Sequence, residues 1–444
     1  MLVLVFIVAF AILSFVNLRL AGSMMHPAFV FCTMWTGSLA LLWALSDVFY
    51  PVSAGSLTYF FLGALAFSVG GFVALLPNLG TFVKRSRPVP AEDRRVVQFA
   101  LDIGLVLAVA ALPIYFRYMR ELAVFAKRKG SDWQQMRRGI IAAANLPGGG
   151  GFRIEPMLLP IFLALALLAF YEYDGGRVRR WRTYLFILIA VGFALSSSGR
   201  SEVLLLMVGL VAIAWTKWDP PQLKLISTGA FAFLLLFGAN QILLEKMNAS
   251  SRASLSENLP VVASGFASYA MGGIVGFDYA MKHPGVIENG WRPTRLVTSV
   301  LNKLGGNYRE PSHDLAYVGI GSGHVSNVYT AYFAFMDYGA VAAGCIWVLL
   351  GAVSTMTYRY ALRNGPLGVL FFGASLYACL MSIFAEEWFS RFAYYLKTAV
   401  IVLVLYEVVP RFWRLLLRAC ARTGSRRLQA AALSGGGERE MAGF

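Results

Sequence analysis

Long apolar runs separated by short polar segments dominate the chain. A helix that crosses a bilayer needs about 20 predominantly apolar residues, and eleven stretches reach or approach that length. They are 1–18, 28–46, 58–77, 97–116, 156–172, 183–196, 201–216, 224–245, 331–358, 366–385 and 395–410. The pattern predicts an all-α polytopic membrane protein with about eleven transmembrane helices.

The polar segments between these runs are unequal in length. Two of them, 117–155 and 246–330, are much longer than the others. Within the longer one, residues 261–281 are apolar but rich in glycine, which favours a helix at the membrane surface over a further crossing. We expect one membrane domain, 1–410, with one long extracytoplasmic loop, followed by a basic cytoplasmic tail, 411–444, that is partly disordered.

Composition supports this class and excludes a soluble domain. The chain is 58% hydrophobic and only 14% charged, against roughly 25% charged residues in soluble domains. The net charge of +16 does not indicate nucleic-acid binding, because membrane proteins concentrate Lys and Arg in short cytoplasmic loops. With the N-terminus outside, the short inside segments carry Arg19, Lys84, Arg85, Arg87, Arg94, Arg95, Arg177, Arg179, Arg180, Arg182, Lys217, Arg359 and Arg363.

Three of the four histidines, His283, His313 and His324, lie in the long segment 246–330. A histidine there can act as a general base towards an acceptor hydroxyl, or it can simply satisfy backbone groups of the loop. His313 and His324 with Asp314 could supply three metal ligands, but their spacing matches no standard site. The four cysteines show no disulfide or zinc spacing, and we expect neither a metal nor a cofactor.

Arginines form the second candidate group. Arg200 lies in a tight polar hairpin, Ser196–Glu202, and Arg292 and Arg295 lie in the long segment. The guanidinium fork binds two phosphate oxygens at once, which suits a lipid diphosphate. Arg200 could instead pair locally with Glu202. Arg128 belongs to the dense basic segment 117–155, for which a helix resting on anionic headgroups is the alternative.

A third group lies in the short segment between the last two predicted spans. Glu386 and Glu387 are adjacent there, and Arg391 follows one helical turn later. Because neighbouring side chains point in different directions, at most one of the two carboxylates is expected to face a site. Anchoring against Arg391 or Lys397 is the alternative role.

Several passages resemble bacterial oligosaccharide repeat-unit polymerases, the Wzy-type O-antigen polymerases. Residues 326–344 begin Ser-Asn-Val-Tyr-Thr and run through an aromatic segment into Asp-Tyr-Gly-Ala-Val-Ala-Ala-Gly, similar to a late helix of that family. Residues 198–202 resemble the family's Arg-bearing hairpin, and 269–273 its glycine-rich segment. Arg128 and Arg295 are each followed eleven positions later by glycine, a spacing that the family also shows.

The resemblance implies a GT-C-like, metal-independent glycosyltransferase in the bacterial inner membrane, with its active site facing the periplasm. The implied donor is an oligosaccharide on undecaprenyl diphosphate, and the implied partners are membrane lipids, a chain-length regulator and a flippase. The roles that follow are catalysis by His324 and His313, and diphosphate binding by Arg200, Arg292 and Arg295. Further substrate contacts are expected from Arg128, Asn327, Tyr329 and Glu387.

Two other functions stay open at this point. O-antigen ligases share the architecture and also place a histidine before the late helix, where His324 lies. The family's His-Asn pair is replaced here by a separate Asn327, which favours a polymerase over a ligase. A polysaccharide or lipid transporter is the alternative from another class. Transporters place charged residues near the bilayer midplane, whereas the predicted spans here are nearly free of paired charges.

Overall fold

The computed structural model describes residues 1–76, 91–124, 155–196, 200–243, 254–284, 295–308, 316–363 and 365–419. Most of this part of the chain is helical. Within it, nine helices are long and apolar enough to cross a membrane. The predicted class, an all-α polytopic membrane protein, is confirmed.

The first three helices form a tight unit. Gly22 ends α1 in the left-handed conformation, Pro27 occupies the first turn of α2, and the Ser53 side chain caps the start of α3. These residue types are the ones that physical chemistry favours at helix termini. The bounds are α1 Leu2–Ala21, α2 Pro27–Ala44 and α3 Ala54–Leu75.

Five helices follow in the middle of the chain, and seven elements lie between them and the final helix. The middle helices are α4 Ala91–Val124, α5 Glu155–Tyr171, α6 Arg177–Ser196, α7 Arg200–Trp218 and α8 Gln222–Leu243. The later elements are α9 Leu255–Lys282, α10 Arg295–Lys303, strands β1 Val318–Gly321 and β2 His324–Ser326, a 3₁₀ helix Ala331–Tyr338, α11 Ala340–Ala361, α12 Pro366–Met381 and α13 Phe392–Leu403. A π-helical turn, Val404–Val408, continues α13 into further helix that reaches residue 419.

Glycines allow the closest helix contact of the bundle, between α3 and α11. A Cβ atom at Gly70 would overlap the carbonyl oxygen of Val348, and one at Gly351 would overlap that of Phe67. Interfaces between membrane helices rely on such small residues, because apolar side chains gain little by leaving lipid. The pair fixes α11, and with it the 3₁₀ helix before it, against the first three helices.

One end of the bundle is the Glu172 face, named after a buried carboxylate that follows α5. Glu172 accepts hydrogen bonds from Arg94 Nε at 2.8 Å and from the Tyr406 hydroxyl at 2.7 Å. At the same end the Met24 amide, between α1 and α2, donates to Gln222 Oε1 at the start of α8 (2.8 Å). The chain therefore turns on this face between α1 and α2 and between α7 and α8.

The opposite end is the His324 face, where α2, α8 and α12 end and α3, α7 and α13 begin. Arg391, which precedes α13, forms an ion pair with Glu202 in the first turn of α7 at 2.8 Å. The Tyr50 amide, between α2 and α3, donates to the Ile320 carbonyl of β1 at 3.0 Å. The β-hairpin thus lies at this face.

Both halves of helix α9 contact the His324 face. Phe266, in the first half, has its ring 5.5 Å from that of Phe237 near the end of α8. Asp278, near the other end, accepts a hydrogen bond from the Ser53 amide ahead of α3 at 2.9 Å. Although α9 is long enough to span a bilayer, its contacts follow one face of the bundle.

The predicted span 331–358 consists of two elements. Residues Ala331–Tyr338 form a 3₁₀ helix, and α11 begins only after Gly339, whose φ is +82°. The reason is that Tyr332 is buried and donates to the Phe60 carbonyl at 2.6 Å, which holds this segment against α3. The other predicted spans correspond to helices with shifted ends.

Candidate functional site

His324 is held by a short β-hairpin at the His324 face. Val318 pairs with Ser326, and Gly319 pairs with Val325. The segment before α3 is hydrogen-bonded to the turn of the hairpin, where the Ser322 amide donates to the Val48 carbonyl at 3.2 Å. This backbone frame fixes the position of the imidazole.

The imidazole of His324 is half-buried and has one nitrogen engaged. Nδ1 lies 2.8 Å from Ser268 Oγ of α9, and either atom can donate. The ring also rests against Phe49, with centroids 5.4 Å apart. Within the described ranges, Nε2 has no hydrogen-bond partner. A ring oriented through one nitrogen, with the other unengaged, is the arrangement that a general base requires.

The segment after the hairpin packs closely on α9. Ser326 Oγ accepts a hydrogen bond from the Val328 amide at 3.0 Å, and Tyr329 donates to the Ala316 carbonyl at 2.8 Å. Burial raises the pKa of Tyr329 to about 12, so its hydroxyl stays protonated. A Cβ atom at Gly272 of α9 would overlap the Ser326 side chain, which explains the glycine-rich sequence of α9.

Asp278 attaches the end of α9 to the bundle. Its buried carboxylate accepts hydrogen bonds from Ser53 Oγ at 2.5 Å and Ser56 Oγ at 2.8 Å, at the start of α3, in addition to the Ser53 amide. Lys282, one turn later, forms an ion pair with it at 2.6 Å. A carboxylate is stabilised at a helix N-terminus, so Asp278 is a positioning residue for the α9 helix that carries Ser268.

A three-residue ion cluster joins α7 to the segment before α13. Arg391 donates through Nη1 to Glu202 Oε1 at 2.8 Å and through Nε to Glu387 Oε2 at 2.7 Å. Ser201 Oγ donates to the second oxygen of Glu202 at 2.8 Å. We refer to Glu202, Glu387 and Arg391 as the Arg391 cluster. Both carboxylates of the cluster are paired with Arg391, as the anchoring alternative expects, and the substrate contact of Glu387 stays a prediction.

Glu386 has a different environment from its neighbour Glu387. Its buried carboxylate accepts hydrogen bonds from the Phe389 amide at 2.6 Å, the Ser390 amide at 3.1 Å and Ser390 Oγ at 2.9 Å. Burial nevertheless raises the pKa of Glu386 to about 7, with the nearby Glu387 charge acting in the same direction. Glu386 can thus exchange a proton near neutral pH.

The structure places only some of the predicted site residues. His324, Asn327 and Tyr329 lie together on the hairpin and the segment that follows it. The backbone of Arg200 begins α7 and that of Arg295 begins α10, but their side chains are outside what is described. His313, Arg292 and Arg128 also lie outside the described residues, so the diphosphate site stays a prediction.

Sequence reasoning missed three features of this face. Ser268 precedes His324 by 56 residues and Glu202 precedes Arg391 by 189, so neither pairing leaves a local signal. Ser53 precedes Asp278, to which it is attached, by 225 residues. Only the glycine-rich pattern of α9 gave a clue, because it signals close approach of another segment.

Fold and site together define a polytopic helical membrane protein in which His324, the paired Arg391 and buried carboxyls lie at one face. Among the described residues, no group of three or more His, Cys, Asp or Glu side chains could hold a metal ion. Comparisons with protein-family models, with curated proteins and with solved structures find no match to this chain. Its function must therefore be argued from the site.

Proposed function

We propose that the chain is a GT-C-like polysaccharide polymerase of the bacterial inner membrane. It would transfer a growing glycan from undecaprenyl diphosphate to a sugar hydroxyl of another lipid-linked repeat unit. The observation that carries this proposal is the His324 imidazole, oriented by Ser268 at one face of a membrane bundle with Nε2 unengaged. Lipid-linked sugars present their reactive groups just outside the hydrocarbon, which is where this proposal places the His324 imidazole.

The proposed topology has eleven crossings, formed by α1 to α8 and α11 to α13. Helix α9 would lie along the outer surface, because a crossing helix would contact opposite faces of the bundle rather than one. The short basic loops then all lie at the Glu172 face, which is cytoplasmic by the distribution of Lys and Arg. The His324 face is consequently periplasmic.

The proposed reaction is a direct group transfer. The acceptor hydroxyl oxygen forms a bond to the anomeric carbon of the donor glycan, and the bond from that carbon to the diphosphate oxygen breaks. The hydroxyl proton passes to His324 Nε2, and the undecaprenyl diphosphate leaves with the bonding electron pair. Ser268 keeps the ring aligned through Nδ1 during this step.

The leaving diphosphate gains negative charge, and fixed cations would stabilise it. Arg200, Arg292 and Arg295 are the proposed donors. The backbone supports Arg200 in particular, since it begins α7 at the His324 face, two residues before Glu202. Glu202 is itself paired with Arg391, and local pairing with Arg200 stays the alternative to a diphosphate contact.

The orientation can be tested by thiol labelling. Val325 on β2 and Val178 near the start of α6 are 62% and 83% exposed, at opposite faces. In a Cys345→Ala, Cys420→Ala background, Val325→Cys should react with a membrane-impermeant maleimide in cells with a permeabilised outer membrane. Val178→Cys should react only after lysis of the inner membrane. The reverse pattern would place the proposed site in the cytoplasm.

The function itself can be tested by deleting the gene and analysing lipid-linked glycans. A polymerase defect should leave single repeat units on the lipid anchor at the periplasmic face, with long chains restored by the wild-type gene. Long undecaprenyl-linked chains that never reach lipid A would instead identify a ligase. Repeat units retained at the cytoplasmic face would identify a transporter.

A further inference from the structure

Helix α10, Arg295–Lys303, has an apolar face that no described part of the chain covers. Val297, Val300, Leu301 and Leu304 follow the i, i+3, i+4, i+7 spacing that places side chains on one side of a helix. They are 57%, 48%, 38% and 79% exposed, respectively. By the same helical spacing, the positions on the opposite side are polar in the sequence. They are Arg295, Thr298, Ser299, Asn302 and Lys303.

The end of α10 is fixed by local hydrogen bonds, so this face has a defined direction. The Gly306 amide donates to the Leu301 carbonyl at 2.9 Å, and Gly305 adopts a positive φ of 99°. Asn302 Nδ2 donates to the Tyr308 carbonyl at 2.8 Å, and the Tyr308 amide donates back to Asn302 Oδ1 at 2.7 Å. The helix and the hydrogen bonds at its end therefore form a locally ordered unit.

The chain on both sides of α10 is attached to the His324 face. Before it, Asp278 binds Ser53, and after it, β1 is held by the Tyr50 amide. Two exposed aromatic side chains, Tyr308 and Tyr317, follow α10 and are 55% and 70% exposed. Tyrosines are enriched where membrane and water meet.

We propose that α10 docks onto the bilayer surface, with its apolar face against the acyl chains and its basic termini among the lipid headgroups. A nine-residue helix is only about 14 Å long, so its face is too small for the roughly 800 Å² per partner of a stable protein interface. A bilayer imposes no such limit. In the sequence the basic residues Arg295 and Lys303 stand at the two ends of the helix, and positive charge favours a surface that carries anionic lipid phosphates.

This inference does not depend on the reaction proposed above, and it can be tested on the full chain in vesicles. The probe is an NBD fluorophore on Val300→Cys, with Ser299→Cys, on the opposite side of the same helix, as the matched control. Both are made in the Cys345→Ala, Cys420→Ala background and reconstituted in phosphatidylcholine–phosphatidylglycerol vesicles containing a nitroxide-labelled lipid.

NBD at position 300 should be quenched by the lipid nitroxide at least about threefold more strongly than at position 299, since interfacial helices bury their apolar face about 5–10 Å into the headgroup boundary. Aqueous iodide should show the opposite preference. Equal quenching at both positions would overturn the proposal. Protection of position 300 from both quenchers would also overturn it, because protein would then cover the face.

Discussion

Replacing His324 with alanine should lower the rate of glycan elongation by about 10²- to 10⁴-fold, the usual contribution of a positioned general base. The loss should appear in turnover, because the lipid-linked substrates would still bind. The physical reason is that the acceptor hydroxyl would have no group to take its proton as the glycosidic bond forms. The measurement is the rate of repeat-unit addition by purified protein in lipid vesicles.

His283→Ala is the matched control for this substitution. His283 is exposed at the end of α9, where Nδ1 lies 3.0 Å from the Tyr279 carbonyl and the ring stacks on Tyr279. Its loss should leave elongation near the wild-type rate. Added imidazole should partly restore the His324→Ala variant, which a purely structural role would not allow. Near-normal turnover of His324→Ala would exclude this base, and His313 and Glu386 would then be the candidates.

Replacing Arg391 with methionine should lower the free energy of unfolding by about 3–5 kcal/mol, because it leaves two buried carboxylates without a counter-charge. The side chains of the Arg391 cluster are only 23%, 14% and 10% exposed for Arg391, Glu202 and Glu387. Solvent therefore screens them poorly. Thermal unfolding in a mild detergent, at fixed protein and detergent concentration, measures the loss.

Arg411→Met is the matched control, because Arg411 forms a similar i, i−4 pair with Glu407 but at the surface. That pair is 70% and 52% exposed, and exposed pairs contribute about 0–1 kcal/mol. Adding Glu202→Gln and Glu387→Gln to Arg391→Met should recover much of the lost stability, since no buried charge then remains unpaired. Equal, small effects of Arg391→Met and Arg411→Met would show that the cluster does not join α7 to α13.

The helices could be predicted from sequence because hydropathy is a local property. The predicted span 1–18 corresponds to α1, and 366–385 contains α12. The prediction was less accurate at 331–358, where mean hydropathy does not reveal that Tyr332 is drawn into the bundle by Phe60. Whether residues 331–338 continue the helix or form a buried hydrogen bond to α3 depends on tertiary packing. Packing cannot be read from a single sequence.

The site was predicted only in part, for a related reason. His324 could be selected because few residue types act as a base near neutral pH, and its position in a long outer segment is visible in the sequence. Its partner Ser268 could not, because one serine among many gains significance only when a fold brings it within 2.8 Å. The ion pair of Glu387 with Arg391 is the anchoring arrangement that the sequence also allowed, and the substrate contact of Glu387 stays a prediction.

Reconstitution with a defined substrate tests the central claim most directly. Purified protein in vesicles should convert a pool of undecaprenyl-diphosphate-linked repeat units into a ladder of longer chains. Neighbouring products should differ by one repeat unit, and each addition should release one undecaprenyl diphosphate. The resemblance implies that EDTA leaves this activity unchanged. Repeat units that stay single at the face accessible to His324, in a preparation of folded protein, would contradict the proposed polymerase.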